Sequence, residues 1–167
     1  MSIKDALLRS RIQDWVVGGG CSLAVIVLAA SEGYSPQVYK DPIGKETYCY
    51  GETTNPDPSR VYSKEFCQYL LSKRASQFIR EVREAVPESV FLTPYELAAW
   101  GSFTYNVGMT NFRHSTAYRL LRQGRRRAAC RQLPRWVYAG DKKLQGLVER
   151  RQVEQELCLS GASSNGK

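Results

Sequence analysis

The sequence predicts an α+β fold that is mostly helical, and three observations indicate it. Ser63 and Thr93 each begin a run of residues with a helix-capping signal. Residues 16–30 carry no charge and could form a further helix. Gly44 marks a turn between this segment and Ser63. With 167 residues, 43% of them hydrophobic and 24% charged, the chain suits one globular domain in which two lobes are possible.

The run that begins at Ser63 predicts a long helix that Pro87 ends. Its apolar residues keep helical spacing and predict one buried face. These residues are Phe66, Tyr69, Leu70, Ala75, Phe78, Ile79 and Val82.

The second run predicts a central helix, because its start carries three matching signals. Thr93 would cap the helix, Pro94 takes the first helical position, and Glu96 takes the third. The residues that follow are nearly all apolar, so we expect this helix in the middle of the core. Trp136 and Tyr138 are expected to pack in the core near the last helices.

The amino-terminal segment, residues 16–30, would reach roughly 22 Å as a helix, against about 30 Å of membrane hydrocarbon. It could be a cleavable signal peptide, a buried helix of a soluble protein, or a weak signal anchor that is later released without proteolysis. We favour the anchor, because the glycines at 18–20 weaken the helix without preventing membrane entry. Lys4, Arg9 and Arg11 before the segment predict an amino terminus that stays inside.

Two acids and a hydroxyl follow this segment. Only Ser31 lies between its end and Glu32, and Asp41 and Thr47 lie on either side of Gly44. Inverting hydrolysis of a glycosidic bond needs an acid that protonates the leaving oxygen and a carboxylate that positions water, about 6.5–9.5 Å apart. Two acids on separate secondary-structure elements can lie at that separation. The alternative is that both are ordinary surface acids, because a chain with 16 acids offers many such pairs.

Several motifs, in the family's order, resemble those of the phage-type lysozymes, glycoside hydrolase family 24. Residues 32–53 resemble the active-site hairpin of that family. Residues 102–108 resemble its central helix, and residues 111–116 resemble the turn that follows. Residues 135–140 and 146–151 resemble its C-terminal helices.

The resemblance, which covers roughly residues 32–158, implies a two-lobed lysozyme-like fold. A small β-hairpin lobe would be joined by a long connecting helix to a helical lobe, with murein in the cleft between them. An apolar anchor helix would precede the domain. We therefore divide the chain into a signal anchor (1–31), a catalytic domain (32–160) and a flexible tail (161–167).

The resemblance also implies the site residues. Glu32 becomes the general acid, Asp41 the carboxylate that positions water, and Thr47 the hydroxyl beneath that water. Tyr105 and Asn106 are implied to face the cleft and bind sugar. The expected reaction is inverting hydrolysis of the β-1,4 bond between N-acetylmuramic acid and N-acetylglucosamine in peptidoglycan, for host cell lysis. No metal and no organic cofactor is implied.

The sequence departs from the family pattern at two positions in the hairpin. Glu52 stands where many members carry His, and Cys49 stands where many carry Gly. Neither departure replaces an implied catalytic residue, but both bear on how the hairpin packs. Arg150 or Arg151 could pair with Glu32 and adjust its acidity.

The amino-terminal segment is similar to the Gly- and Ala-rich anchors of the signal-anchor-release subgroup of phage endolysins. This resemblance implies a monomer, first in the host inner membrane as a single-pass protein and then in the periplasm, which acts on peptidoglycan together with a phage holin or pinholin. Only Ser31 separates the apolar segment from Glu32. We hypothesise that membrane embedding holds Glu32 away from Asp41 and Thr47 until the anchor is released.

The five cysteines are an odd number without metal-ligand spacing. In a reducing cytosol they would be buried thiols, whereas in the periplasm the four cysteines of the domain can pair in three ways. We favour Cys49–Cys67 and Cys130–Cys158, because each bridge then stays inside one lobe. Cys21 would be left in the anchor.

The formal net charge of +8 leaves the class of partner open. Arg125–Arg127 with Lys142 and Lys143 would suit either nucleic-acid phosphates or an acidic polymer or surface. No helix-turn-helix or zinc-finger motif accompanies this charge, so we expect no nucleic-acid partner. A catalytically silent wall-binding domain or a basic nucleic-acid-binding domain remains the alternative function. His114 is the only histidine, which argues against a His-based metal cluster or a Ser-His triad.

Overall fold

The computed structural model describes residues 33–41 and 44–163. Most of the described chain is helical, with two short antiparallel strand pairs, so the expected α+β class is confirmed. In chain order the elements are β1 (Ser35–Lys40), β2 (Glu46–Cys49), α1 (Lys64–Ala85), α2 (Pro94–Val107), α3 (Met109–Arg113), α4 (Thr116–Arg122), α5 (Arg126–Cys130), a 3-10 turn (Leu133–Arg135), β3 (Tyr138–Ala139), β4 (Lys142–Lys143) and α6 (Gln145–Ser163).

The expected anchor (1–31) and Glu32 lie outside the described residues. Within the ranges that the structure describes, no helix is long and apolar enough to cross a membrane. At the other end, α6 continues through Ser163, and Gly161 and Ala162 are buried. The first residues of the segment expected to be a flexible tail are therefore helical.

Strands β1 and β2 form the small lobe. They pair antiparallel, with Tyr39 opposite Thr47 and Lys40 opposite Glu46. Gly44, near the end of the hairpin, has φ +83°, a conformation that glycine adopts without the steric cost of a Cβ.

A disulfide joins the hairpin to α1 and accounts for one departure from the family pattern. Cys49 has a positive φ of 56°, a region that favours glycine. The side chain at this position is buried and bonded to Cys67 on α1. A glycine there would relieve the backbone conformation but would lose this covalent link between the hairpin and the connecting helix.

Helix α1 begins where the capping signal predicts. The Ser63 hydroxyl oxygen accepts a hydrogen bond from the Phe66 N–H (3.2 Å), and the helix ends at Ala85, before Pro87. The expected buried face is wrong at Tyr69, which is 62% exposed. Tyr69 lies about 200° around the helix from the first residue of the true buried set, because each residue turns about 100°. That set is Cys67, Leu71, Ala75 and Val82.

Helix α2 is the centre of the core. Its capping box is complete, since the Thr93 hydroxyl accepts from the Glu96 N–H (3.3 Å) and the Glu96 carboxylate accepts from the Thr93 N–H (3.0 Å). Trp100 and Phe103 are fully buried on it. α2 packs against both α1 and α6, so it links the connecting helix to the C-terminal helix.

The helical lobe holds the second disulfide, Cys130–Cys158, which joins α5 to α6. Both disulfides are therefore the pairings that the sequence analysis favoured, Cys49–Cys67 and Cys130–Cys158. The expectation that Trp136 and Tyr138 pack in the core is right for one residue and wrong for the other. Trp136 is half-buried with its ring edge-on to Phe103 (5.3 Å), but Tyr138 is 60% exposed. Tyr138 belongs to the β3–β4 hairpin, whose residues are exposed.

Candidate active site

The carboxyl group of Asp41 is held at the end of the hairpin. The Asp41 N–H donates to the Lys45 carbonyl (2.9 Å), and one carboxylate oxygen, Oδ1, accepts from the Lys45 N–H (2.8 Å). The Asp41 carbonyl accepts from the Gly44 N–H (2.8 Å). One oxygen of the carboxylate is therefore held by a backbone N–H of the same hairpin.

Thr47 lies on β2, close to Asp41. Since Tyr39 is opposite Thr47 and Asp41 bonds to Lys45, Asp41 and Thr47 are diagonal neighbours on one face, about 7–8 Å apart. Thr47 is buried, with 4% exposure, and its hydroxyl donates to the Lys45 carbonyl (3.1 Å). The structure thus brings together two of the three residues that the sequence implies.

The third, Glu32, lies outside the described residues, which begin at Gly33. Its distance to Asp41, and any pairing with Arg150 or Arg151, therefore stay predictions.

An open depression of about 190 Å³ lies where the hairpin lobe meets α1 and α2. Its wall combines residues that follow the hairpin with residues of both helices. They are Gly51, Glu52, Thr53, Arg74, Phe78 and Tyr105. This is the junction at which the two-lobed resemblance implies a substrate cleft.

Tyr105 and Asn106, the two implied sugar-binding residues, are held differently. The Tyr105 hydroxyl donates to the Tyr50 carbonyl (2.9 Å), and its ring stands edge-on to Phe78 (5.6 Å) in the wall of the depression. Asn106 is exposed and does not line the depression. The Asn106 carbonyl oxygen, Oδ1, accepts from Arg151 (2.9 Å).

An ion pair between Glu52 and Arg74 forms one side of the depression. Arg74 donates through Nε (3.0 Å) and Nη2 (3.1 Å) to the two Glu52 oxygens. Burial would raise the pKa of Glu52, but hydrogen bonds from Arg74 and from the N–H groups of Thr54 and Thr53 lower it to about 2. Glu52, the second departure from the family pattern, thus forms an ion pair with Arg74. Sequence reasoning missed Arg74, because no local pattern links residues 22 positions apart.

A buried charge cluster joins α6 to α2 beside Asn106. Glu154 accepts from the Ser102 hydroxyl (2.6 Å) and from Arg150 Nε (3.2 Å), and Arg151 Nε lies 2.9 Å from its second oxygen. Burial raises the pKa of Glu154, and the two guanidinium groups oppose that shift. Burial lowers the pKa of Arg151 to about 10, so it remains a cation near neutral pH. This cluster holds the Asn106 side chain through Arg151.

Comparison with known proteins matches the chain to one family. The family model described as "Phage lysozyme" matches residues 29–154. A "SAR-endolysin" of bacteriophage PS119 is 36% identical over 161 residues, covering 92% of this chain and 95% of that protein.

Two solved structures share the fold. The muramidase domain of SpmX from Asticaccaulis excentricus superimposes with a TM-score of 0.73 at 26% identity, over 81% of this chain and 94% of the other. The active form of the P1 phage endolysin Lyz gives 0.78 at 19% identity, over 96% of both chains, which is a likeness of fold alone. With the fold, the matched sequence and the relatives in agreement, the chain belongs to the phage lysozyme family and is a muramidase of the endolysin class.

Proposed function

We propose that this muramidase hydrolyses the β-1,4 bond between N-acetylmuramic acid and N-acetylglucosamine of peptidoglycan with inversion at the sugar carbon. Glu32 protonates the leaving oxygen, while Asp41 and Thr47 hold the water on the other face of the sugar. The observation that carries this proposal is the placement of Asp41 and Thr47 as diagonal neighbours on one face of the hairpin.

The hydrogen bonds of Thr47 suit the water-holding role. Its hydroxyl proton is committed to the Lys45 carbonyl, so the oxygen is left to accept a hydrogen bond. A water that donates one hydrogen to Thr47 and the other to the Asp41 carboxylate would have its lone pair aimed at the sugar. As the water attacks, its proton passes to Asp41, and the proton of Glu32 goes to the departing oxygen. No covalent intermediate is needed.

The two acids must have opposite protonation states at the start of the reaction. Glu32 has to be protonated near neutral pH, which burial beneath a bound saccharide would favour by raising its pKa. Asp41 has to be ionised, and its half-buried place at the end of the hairpin keeps the carboxylate close to solvent. We therefore assign Glu32 as the acid and Asp41 as the base.

Tyr105 and Asn106 would bind sugar by stacking and hydrogen bonding. The hydroxyl bond to Tyr50 and the contact with Phe78 fix the Tyr105 ring, which can present a flat face to a sugar. Because the Asn106 oxygen accepts from Arg151, its amide nitrogen is directed to donate to a sugar oxygen.

The amino-terminal segment would hold the enzyme inactive. The relative from bacteriophage PS119 is named a SAR-endolysin and aligns over 92% of this chain. On that basis residues 1–31 anchor the protein in the inner membrane with its amino terminus inside, and release places a monomer in the periplasm. Since only Ser31 separates the apolar segment (residues 16–30) from Glu32, embedding keeps the acid from Asp41 until the anchor is released. A phage holin or pinholin would supply the trigger.

A murein zymogram tests the chemistry. Glu32→Gln and Asp41→Asn should each lower the rate about 10²–10⁴-fold, the usual contribution of a positioned acid or base. Glu46→Gln is the matched control, because Glu46 is an exposed acid on β2, next to Thr47. Equal clearing of murein by wild type and Glu32→Gln would contradict the proposed mechanism. If wild type binds murein without clearing it, the silent wall-binding alternative holds, and salt-dependent retention on DNA would favour the nucleic-acid alternative.

A second experiment tests the control by the anchor. Murein cleavage should be absent while the protein is held in an intact, energised membrane, and should begin when the membrane is depolarised and the protein is released. Full cleavage by the embedded protein would contradict this part of the proposal.

A further inference from the structure

We infer that Arg74 binds a carboxylate carried by the muramyl unit of the substrate, in the depression beside Tyr105. The inference rests on the proposed function, because it takes the same cleft as the place where murein lies. In intact murein this carboxylate belongs to the stem peptide, and where the stem has been removed it is the lactyl group of muramic acid.

The hydrogen bonds of Arg74 leave part of its guanidinium group available. Nε and Nη2 both face Glu52, and Nη2 also donates to the Thr54 hydroxyl (3.2 Å). Among residues 33–41 and 44–163, Nη1 has no partner. The Arg74 side chain is 38% exposed and lines the depression. One edge of the guanidinium is therefore fixed, and the remaining N–H groups can bind a ligand.

Glu52 holds Arg74 in place without using all of its donors. The Glu52 carboxylate also accepts from the N–H groups of Thr53 and Thr54 (2.9 Å each), so its charge is shared among several donors. The hydrogen bonds that Arg74 donates to Glu52 raise the pKa of Arg74, and the pKa of Glu52 is about 2. Both groups therefore stay ionised at any pH at which the enzyme would work, and Arg74 is a permanent, preorientated cation.

The rest of the depression suits a substituted sugar. Phe78 and Tyr105 supply aromatic surface next to the cation. A hydrogen bond between a guanidinium and a carboxylate is charge-assisted and therefore stronger than one between neutral groups. The two N–H groups on Nη1 of Arg74 are left to donate to a carboxylate. Tyr105 would contact the sugar, so a carboxylate on that sugar lies within reach of Arg74.

The alternative role for Arg74 is structural, since the same ion pair joins α1 to the segment after the hairpin. KM and kcat separate the two roles when Arg74→Gln and Glu52→Gln are compared. Both variants break the ion pair, but only Glu52→Gln keeps the cation. Binding predicts that Arg74→Gln raises KM about tenfold with kcat within twofold of wild type, and that Glu52→Gln changes KM much less. Arg74→Lys, which keeps a cation, should have a KM between those of wild type and Arg74→Gln.

The assay uses full-length enzyme released from the membrane, with intact sacculi and with glycan strands stripped of peptide by an amidase. Arg80→Gln is the matched control, because Arg80 is exposed on the same helix and does not line the depression. A change in KM on sacculi alone identifies the stem peptide as the source of the carboxylate. A change on both substrates adds the lactyl carboxylate as a ligand.

Binding of soluble muramyl dipeptide, followed by calorimetry, makes the same comparison without turnover. Arg74→Gln should weaken it about tenfold relative to wild type. The inference fails if Arg74→Gln leaves both KM and this affinity unchanged while wild type hydrolyses murein, or if Glu52→Gln raises KM as much as Arg74→Gln does. Failure of the proposed function looks different, because wild type itself would then not hydrolyse murein.

Discussion

Replacing Glu154 by Gln should destabilise the protein strongly, because two buried cations would lose their counter-charge. Glu154 and Arg151 are fully buried, and Arg150 is nearly so. Gln has the same shape and keeps an acceptor for the Ser102 hydroxyl, so the substitution changes mainly the charge. Removing one partner of a buried ion pair costs about 3–5 kcal/mol, since the remaining charge is left uncompensated.

Urea unfolding under non-oxidising, non-reducing conditions measures this cost. With a slope of about 2–3 kcal/mol per molar urea, the midpoint should fall by roughly 1–2.5 M with the slope unchanged. Glu149→Gln is the matched control, because Glu149 is exposed on the same helix, and a surface change of this kind stays within about 0.5 kcal/mol. A loss below about 1 kcal/mol for Glu154→Gln would refute the view that Glu154 is ionised and neutralises both arginines.

Three further changes test other parts of the structure. Cys130→Ser opens a bridge that spans 28 positions and should cost about 3.5 kcal/mol in urea unfolding; an equal midpoint in wild type and variant would contradict this. The pKa of Glu52 is lowered from 4.5 to about 2 on folding, so its stabilisation is present above pH 4.5 and is lost as pH falls towards 2. The shift corresponds to about 3 kcal/mol, which screening at the partly exposed Arg74 reduces to about 1–2 kcal/mol, and Glu52→Gln should remove this pH dependence. A Cβ at Gly161 would collide with the Thr93 hydroxyl, so Gly161→Ala should cost about 1–3 kcal/mol of unfolding free energy, and a variant as stable as wild type would show that α6 can shift.

Local features of the fold could be predicted from the sequence. The caps at Ser63 and Thr93 were predictable because the residues that make them lie within three positions of one another. The periodicity of α1 identified the helix and correctly placed Ala75 and Val82 on its buried face, but it placed Tyr69 there wrongly. The expectation that Tyr138 is buried was wrong for a related reason, since an aromatic residue close to the core in sequence can belong to an exposed hairpin.

Features that depend on distant residues needed the structure. The resemblance implied Asp41 and Thr47, but only the register of the hairpin places them on one face. Arg74 carries no local signal, because its partner lies 22 positions earlier. The cluster around Glu154 joins residues up to 52 positions apart, so its charges look like ordinary surface charges in the sequence.

The stereochemistry of the product tests the central claim most directly. If Glu32 protonates the leaving oxygen while Asp41 and Thr47 direct water to the opposite face, hydrolysis of the β-linked strand must first yield the α anomer at the new reducing end. Proton NMR of the released enzyme acting on peptide-free glycan strands resolves the two anomers before they interconvert. The α anomer appearing first, with no product from Glu32→Gln, is the predicted result. The β anomer appearing first would contradict it, because that outcome requires a covalent intermediate.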